Sequence, residues 1–221
     1  MTAALRPELE AGAAALGVPL TSRQVDQLLD YLELMRKWNQ VYNLTAVREP
    51  HAMLTHHLLD SLAVVQPLRR HTGTRAARLL DVGAGAGLPG VVIAIGCPEV
   101  AVTCVDAVAK KAAFVQQVAA SLTLPNLRGL HARVETLGAR GIAPFDVISS
   151  RAFATLADFV SGSEAALAEG GCWLAMKGRH PGEEIAALPA GIEVFHVEPL
   201  QVPDLHAERC VIWMRKAPVS G

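Results

Sequence analysis

Apolar residues in the first 70 positions recur at intervals of three and four. Val25, Leu28, Leu29, Leu32 and Met35 form one stripe, and Leu54, Leu58, Leu62 and Val65 form another. This spacing predicts two amphipathic helices. Thr21 with Gln24 makes a capping box for the first, which should run to about Trp38. A turn-like WNQVYNLT follows. Pro50 suits the first position of the second helix, which should end near Pro67.

From residue 78 the period changes. Short, nearly continuous apolar runs at 78–82, 100–106, 127–131, 145–149, 172–177, 192–198 and 209–215 read as strands. Helical patterns at 89–95, opened by a proline, and at 110–122 separate the first of them. Strands alternating with helices predict right-handed crossovers and a mostly parallel sheet. The last two runs have no helical pattern between them, so an antiparallel strand should finish the sheet. Two regions follow from these patterns, a helical one over 1–70 and an α/β one over 71–221.

Composition limits what such a fold can be. A chain of 23.4 kDa buries about 70 % of its unfolded surface and leaves about 10,000 Å² exposed, enough for a core without disulfide or metal staples. With 51 % hydrophobic and 19 % charged residues it is globular, not disordered. The N-terminus lacks the charged and apolar regions of a signal peptide, and no apolar run has membrane-spanning length. Four scattered cysteines without a CxxC pair should be reduced core residues of a cytoplasmic protein, expected to be monomeric. The formal net charge is −1. That argues against a sequence-blind nucleic-acid coat but leaves room for a local basic pocket.

The chemistry concentrates where the first strand hands over to a helix, at Asp81-Val82-Gly83-Ala84-Gly85-Ala86-Gly87. Glycines there let the backbone approach a ligand. Gly85, Gly87 and Gly90 also satisfy the GxGxxG dinucleotide fingerprint, which would make the chain an NAD(P)-dependent oxidoreductase. The register opposes this, since Gly90 falls inside the helix. A pyrophosphate would also be repelled by the Asp81 carboxylate, whereas the sulfonium and ammonium of S-adenosylmethionine would be attracted. Asp106 ends the second strand, where an acid accepts ribose hydroxyls in either class.

LLDVGAGAGLPGVVIAI, VDAVAKKAAFV, ARVETL, SRAFATL and AMKG, with YNLT and HLLDSL upstream, resemble the RsmG (GidB) family from about Trp38 to Arg215. The resemblance implies a class I methyltransferase, a Rossmann-like seven-stranded sheet with an antiparallel final strand and an N-terminal helical extension. It also implies methylation of N7 of a guanine in 16S ribosomal RNA, free or in the small ribosomal subunit, with S-adenosylmethionine as donor. In that family pattern Gly83 and Leu88 belong to the cofactor pocket and Asp106, Ala107 and Val108 lie along the ribose. Val134 and Glu135 flank the adenine, and Arg151 closes the site. A methyltransferase for a small molecule is the first alternative, because the cofactor motifs do not see the acceptor.

Basic residues fall just beyond strand ends at Arg133, Arg151 and Lys177, and Arg209 begins the last strand. An antiparallel last strand would bring all four to one rim. Guanine N7 is an unprotonated lone pair near neutral pH, so its attack needs no general base. Arg151 and Lys177 are therefore assigned positioning and electrostatic roles, and Arg133, Lys177, Arg209 and His57 are expected to meet RNA. His56 with Asp60 has metal-ligand spacing but no third ligand, so no metal is expected. His57, Asp60 and Ser61 match the family's HxLDS segment and should pin the helical region or border the RNA cleft. Trp38, Tyr42 and Asn43 read as a capped helix end. Cys210 stands where the family commonly has His, and the stretch 136–143 matches loosely.

Overall fold

The computed structural model describes residues 2–73, 75–151, 153 and 155–218; Ala152 and Ala154 of the SRAFATL motif lie outside this set. Helix α1 (Arg6–Ala15) precedes α2 (Ser22–Tyr42), which Thr21 and Gln24 start with the expected reciprocal cap. Helix α2 passes Trp38 because its end is closed elsewhere. Asn43 turns left-handed at φ 48°, and the buried Asn39 side chain accepts the Thr45 N–H.

The second helical stretch is divided. Helix α3 (Pro50–Met53) opens into a π-helical segment (Leu54–Leu59), then α4 (Asp60–Leu62), and after a turn α5 (Val65–Thr72). Pro67 does not end it. It lies in the first turn of α5, where a missing N–H costs no helical hydrogen bond.

The α/β region follows as β1 (Ala77–Val82), α6 (Gly90–Gly96), β2 (Val100–Asp106), α7 (Ala109–Ser121), β3 (Leu127–His131) and β4 (Phe145–Ser150). Then come α8 (Leu156–Ser163), β5 (Leu167–Lys177), α9 (Gly182–Ala186), β6 (Ile192–Pro199) and β7 (Cys210–Lys216). The strands form one sheet in the order β3-β2-β1-β4-β5-β7-β6, parallel except for the pairings of β7. Lys177 pairs with Cys210, so Arg209 stands at the carboxyl edge of the parallel strands, as an antiparallel last strand requires.

Alternate strand residues feed two core layers. Leu79, Val102, Cys104, Val147, Leu174 and Trp213 face α6, α7 and the N-terminal helices in one continuous core. Leu80, Val105, Ile148, Trp173 and Ile212 face the layer containing α8. The accessible surface is 10215 Å², close to the value expected for the mass. All four cysteines are free and buried, and burial pushes the Cys97 thiol up to about 11 and that of Cys172 to about 12. No described helix is long and apolar enough to cross a membrane.

Side chains of α2 fasten the helical region to the site. Gln24 Nε2 donates to the Ile95 carbonyl at 2.8 Å and Gln27 Nε2 to that of Leu122 at 2.9 Å. The hydroxyl of the fully buried Tyr31 donates to the Ala86 carbonyl, inside the glycine loop, at 2.6 Å. Tyr31→Phe leaves that carbonyl without its partner, so urea denaturation should show a loss of about 1 kcal/mol.

Candidate active site

Three glycines in the loop after β1 have positive φ: Gly83 at 65°, Gly85 at 59° and Gly87 at 88°. Their surroundings differ. A Cβ on Gly83 would meet nothing within 4 Å, and one on Gly85 would meet only the Gly83 carbonyl at 4.0 Å. These two line an open cradle. On Gly87 it would strike Val91 Cγ2 at 2.5 Å, and on Gly90 it would strike Cys104 Sγ at 2.4 Å. Those two glycines serve packing of α6 and its turn. Leu88 is buried in the core and its N–H is spent on the Ala84 carbonyl.

Two carboxylates hold this loop. Asp106 accepts the Gly85 N–H at 3.0 Å and the Val108 N–H at 2.8 Å, tying the ends of β1 and β2 together under the cradle. Asp81 has no exposure, so it acts from beneath the cradle and does not face a ligand. One oxygen accepts the Gly90 N–H at 2.9 Å and the other the Ser149 hydroxyl at 3.0 Å. Burial raises its pKa to about 7, against the pull of those hydrogen bonds and of Arg151. The helix-start amide that would meet a pyrophosphate is thereby already occupied, beside a carboxyl group.

Beyond the cradle, Ala107 and the partly exposed Val108 follow β2, and Val134 with the exposed Glu135 forms a 3₁₀ turn after β3. Arg151 follows β4. Its Nη1 donates to the His56 carbonyl at 3.0 Å and faces Asp60 Oδ2 at 3.4 Å. Arg209 Nε donates to Asp60 Oδ1 at 2.8 Å. Arg151, Lys177 and Arg209 line one cavity of about 350 Å³ with His56, Asp60, Met176 and Gly178.

The fourth expected cation is absent from this cavity. Arg133 follows β3, the far edge strand, so the sheet's width separates it from the others. His57 is placed differently from the RNA-facing position expected of it. It is buried, its Nε2 lies 2.9 Å from Thr45 Oγ1, and burial lowers its pKa to about 4. A neutral, enclosed imidazole offers no charge to a phosphate and instead pins the π-helical segment. Asp60 is taken by two guanidiniums, which uses the carboxylate that the His56–Asp60 spacing had suggested for a metal. Cys210 packs in β7.

Glu184 of α9 was not visible in the sequence pattern. Both its oxygens bond Lys177 Nζ, at 3.1 and 2.8 Å, and one also accepts the Leu156 N–H at the start of α8. Its only sequence signal was its place seven residues after the AMKG lysine.

With this geometry in view, the comparisons are specific. Residues 24–212 match the family described as GidB, rRNA small subunit methyltransferase G. The chain is 66% identical to the ribosomal RNA small subunit methyltransferase G of Polaromonas sp. (strain JS666 / ATCC BAA-500), over 97% of this chain and 95% of that protein. It is 64% identical to that of Acidovorax ebreus (strain TPSY), over 96% and 95%. Among solved structures, TrmN from Thermus thermophilus aligns with a TM-score of 0.55 at 22% identity, covering 74% of this chain and 53% of its own. A ribosomal protein L11 methylase from Lactobacillus delbrueckii subsp. bulgaricus aligns at 0.52 and 14% identity, covering 72% and 79%. These two share the fold.

The Asp81 carboxyl binds its proton more tightly in the folded chain, with a pKa of about 7 against 3.8. The stability it lends is full at low pH, declines as pH rises from about 4 to about 7, and is gone above. Thermal melting of wild type relative to Asp81→Asn should therefore fall across that window and stay level at higher pH.

Proposed function

The chain belongs to the GidB family of small-subunit rRNA methyltransferases, and from that premise we propose that it methylates N7 of a guanine in 16S rRNA, guanine 527 in the family's usual numbering, using S-adenosylmethionine. The observation that carries the donor assignment is the open cradle over Gly83 and Gly85, tied to a carboxylate at the end of β2. S-adenosylmethionine supplies a methyl group activated by a sulfonium, with no redox step.

The residues present fit that donor. Gly83 and Gly85 admit the methionine part because neither carries a side chain into the cradle. Asp106 already accepts two amide N–H groups, and a carboxylate has lone pairs left for ribose hydroxyls. Ala107 and Val108 would lie along the ribose, Val134 and Glu135 beside the adenine, and Arg151 would close the site towards the acceptor.

N7 of guanine attacks through its own lone pair, so the chain's task is alignment and charge stabilisation, without a general base. Arg151, Lys177 and Arg209 hold the O6 edge or flanking phosphates. The target base has to leave its stack to reach the cradle. Arg133, at the far end of the rim, meets a more distant phosphate. Because positive and negative charges are nearly equal in number, 20 against 21, affinity comes from a shaped RNA and not from bulk charge. The protein acts as a monomer in the cytoplasm, where its substrate is made.

Two measurements test this. Methyl incorporation into 16S rRNA from cells lacking the protein, free or as small subunits, should map to one guanine; no incorporation into either form refutes the RNA acceptor and favours a small molecule. Gly83→Asp places a carboxylate in the cradle, so calorimetry with S-adenosylhomocysteine should show binding abolished.

A further inference from the structure

Asp60 is 3 % exposed and sits on α4, in the helical region, yet its two oxygens reach two arginines of the α/β region. Arg151 follows β4 and Arg209 precedes β7, with β5 between them. One guanidinium is held by Asp60 and the His56 carbonyl, the other by Asp60 and the Glu208 carbonyl. Arg151 is thus held at Nη1, and Arg209 at Nε and Nη1. Arg151 Nε and Nη2 and Arg209 Nη2 have no hydrogen-bond partner among the described residues, and both side chains remain partly exposed. Lys177 lines the same cavity and is neutralised by Glu184. Three cations against two carboxylates leave the cavity with one uncompensated positive charge.

We propose that Asp60 is a positioning residue that orients Arg151 and Arg209 into a preformed site for a phosphodiester group of the RNA, beside the transferred methyl group. The proposal rests on the RNA-methyltransferase reading above. Arginine recognises phosphate through planar N–H donors, and a guanidinium already held at its other nitrogens loses less freedom on binding. Arg151 offers Nε and Nη2 and Arg209 offers Nη2, and one buried anchor keeps the two guanidiniums at a fixed mutual spacing, which selects for a backbone of one shape.

The opposite role for Asp60 is an internal anion that competes with phosphate, and the sign of one substitution separates the two. Asp60→Asn removes a negative charge and so raises the net charge of the site by one. If Asp60 competes, KM for 16S rRNA or small subunits falls. If it positions, KM rises at least tenfold despite the added charge, and the slope of log kcat/KM against log salt becomes shallower by about one. Affinity for S-adenosylhomocysteine should change less than twofold, which a general loss of folding would not spare. Should Asp60→Asn fail to fold, Arg209→Lys keeps the charge but loses the Nε contact, and KM should again rise. Inorganic phosphate should inhibit wild type competitively with RNA and inhibit either variant more weakly. An unchanged or lower KM in the variant that folds overturns the positioning role while leaving the methyltransferase reading intact. Failure of the wild-type protein to methylate 16S rRNA removes the reading itself.

Discussion

A carboxyl group with no access to water lies under the glycine loop, and much of the site follows from how it is satisfied. Burying an unpaired carboxylate costs several kcal/mol, so Asp81 has to find donors or keep its proton. It takes the Gly90 N–H and the Ser149 hydroxyl, joining β1, the start of α6 and β4 at one point. For that amide to come so close, residue 90 cannot have a side chain; a Cβ would lie 2.9 Å from the carboxylate itself. Helix α6 therefore starts at a fixed place, and residues 83–89 must climb over the carboxyl group and return to it. The climb uses three positive φ values, which explains the alternate glycines. Asp106 then fixes the outer turn through Gly85. The cradle is the shape left over once both acids are satisfied.

Charge at the sheet's carboxyl edge obeys the same economy. Lys177 is neutralised by Glu184, and Arg151 and Arg209 share Asp60, so little field extends from the surface. Arginines held in this way act at short range, through the direction of their N–H groups. In the proposed role such a surface would discriminate shapes of RNA and bind arbitrary RNA weakly, in keeping with a chain of net charge −1.

Features set by neighbouring residues were legible in the sequence. The capping box at Thr21, the seven strand runs and the antiparallel last strand depend on local spacing and linker length, and all are present. The glycine loop was legible as a close approach of backbone, but not the division between glycines that face the cradle and glycines that face the core. That division depends on Val91 and Cys104, which only the packed structure brings near. Pro67 misled because a new helix starts two residues before it. Of the two roles read for His57, its burial against Thr45 supports pinning of the helical region over contact with RNA. Tyr31 carried no signal, since its partner, Ala86, lies far away along the chain, and Glu184 carried only its short spacing from Lys177.

The helical region matters because strands alone cannot complete the edge. Strands stand about 4.8 Å apart, so arginines beyond β4 and β7, with β5 between them, start roughly 10 Å apart and would repel each other. The π-helical segment and α4 lie across the edge and lower one acid between both. The same region supplies Tyr31 under the glycine loop, so it touches both the cradle and the arginine pair. A helical layer that props the cradle and aims the arginines sets their relative position. In the N7 reaction proposed above, which calls for no general base, alignment carries the chemistry, and it rests on that relative position.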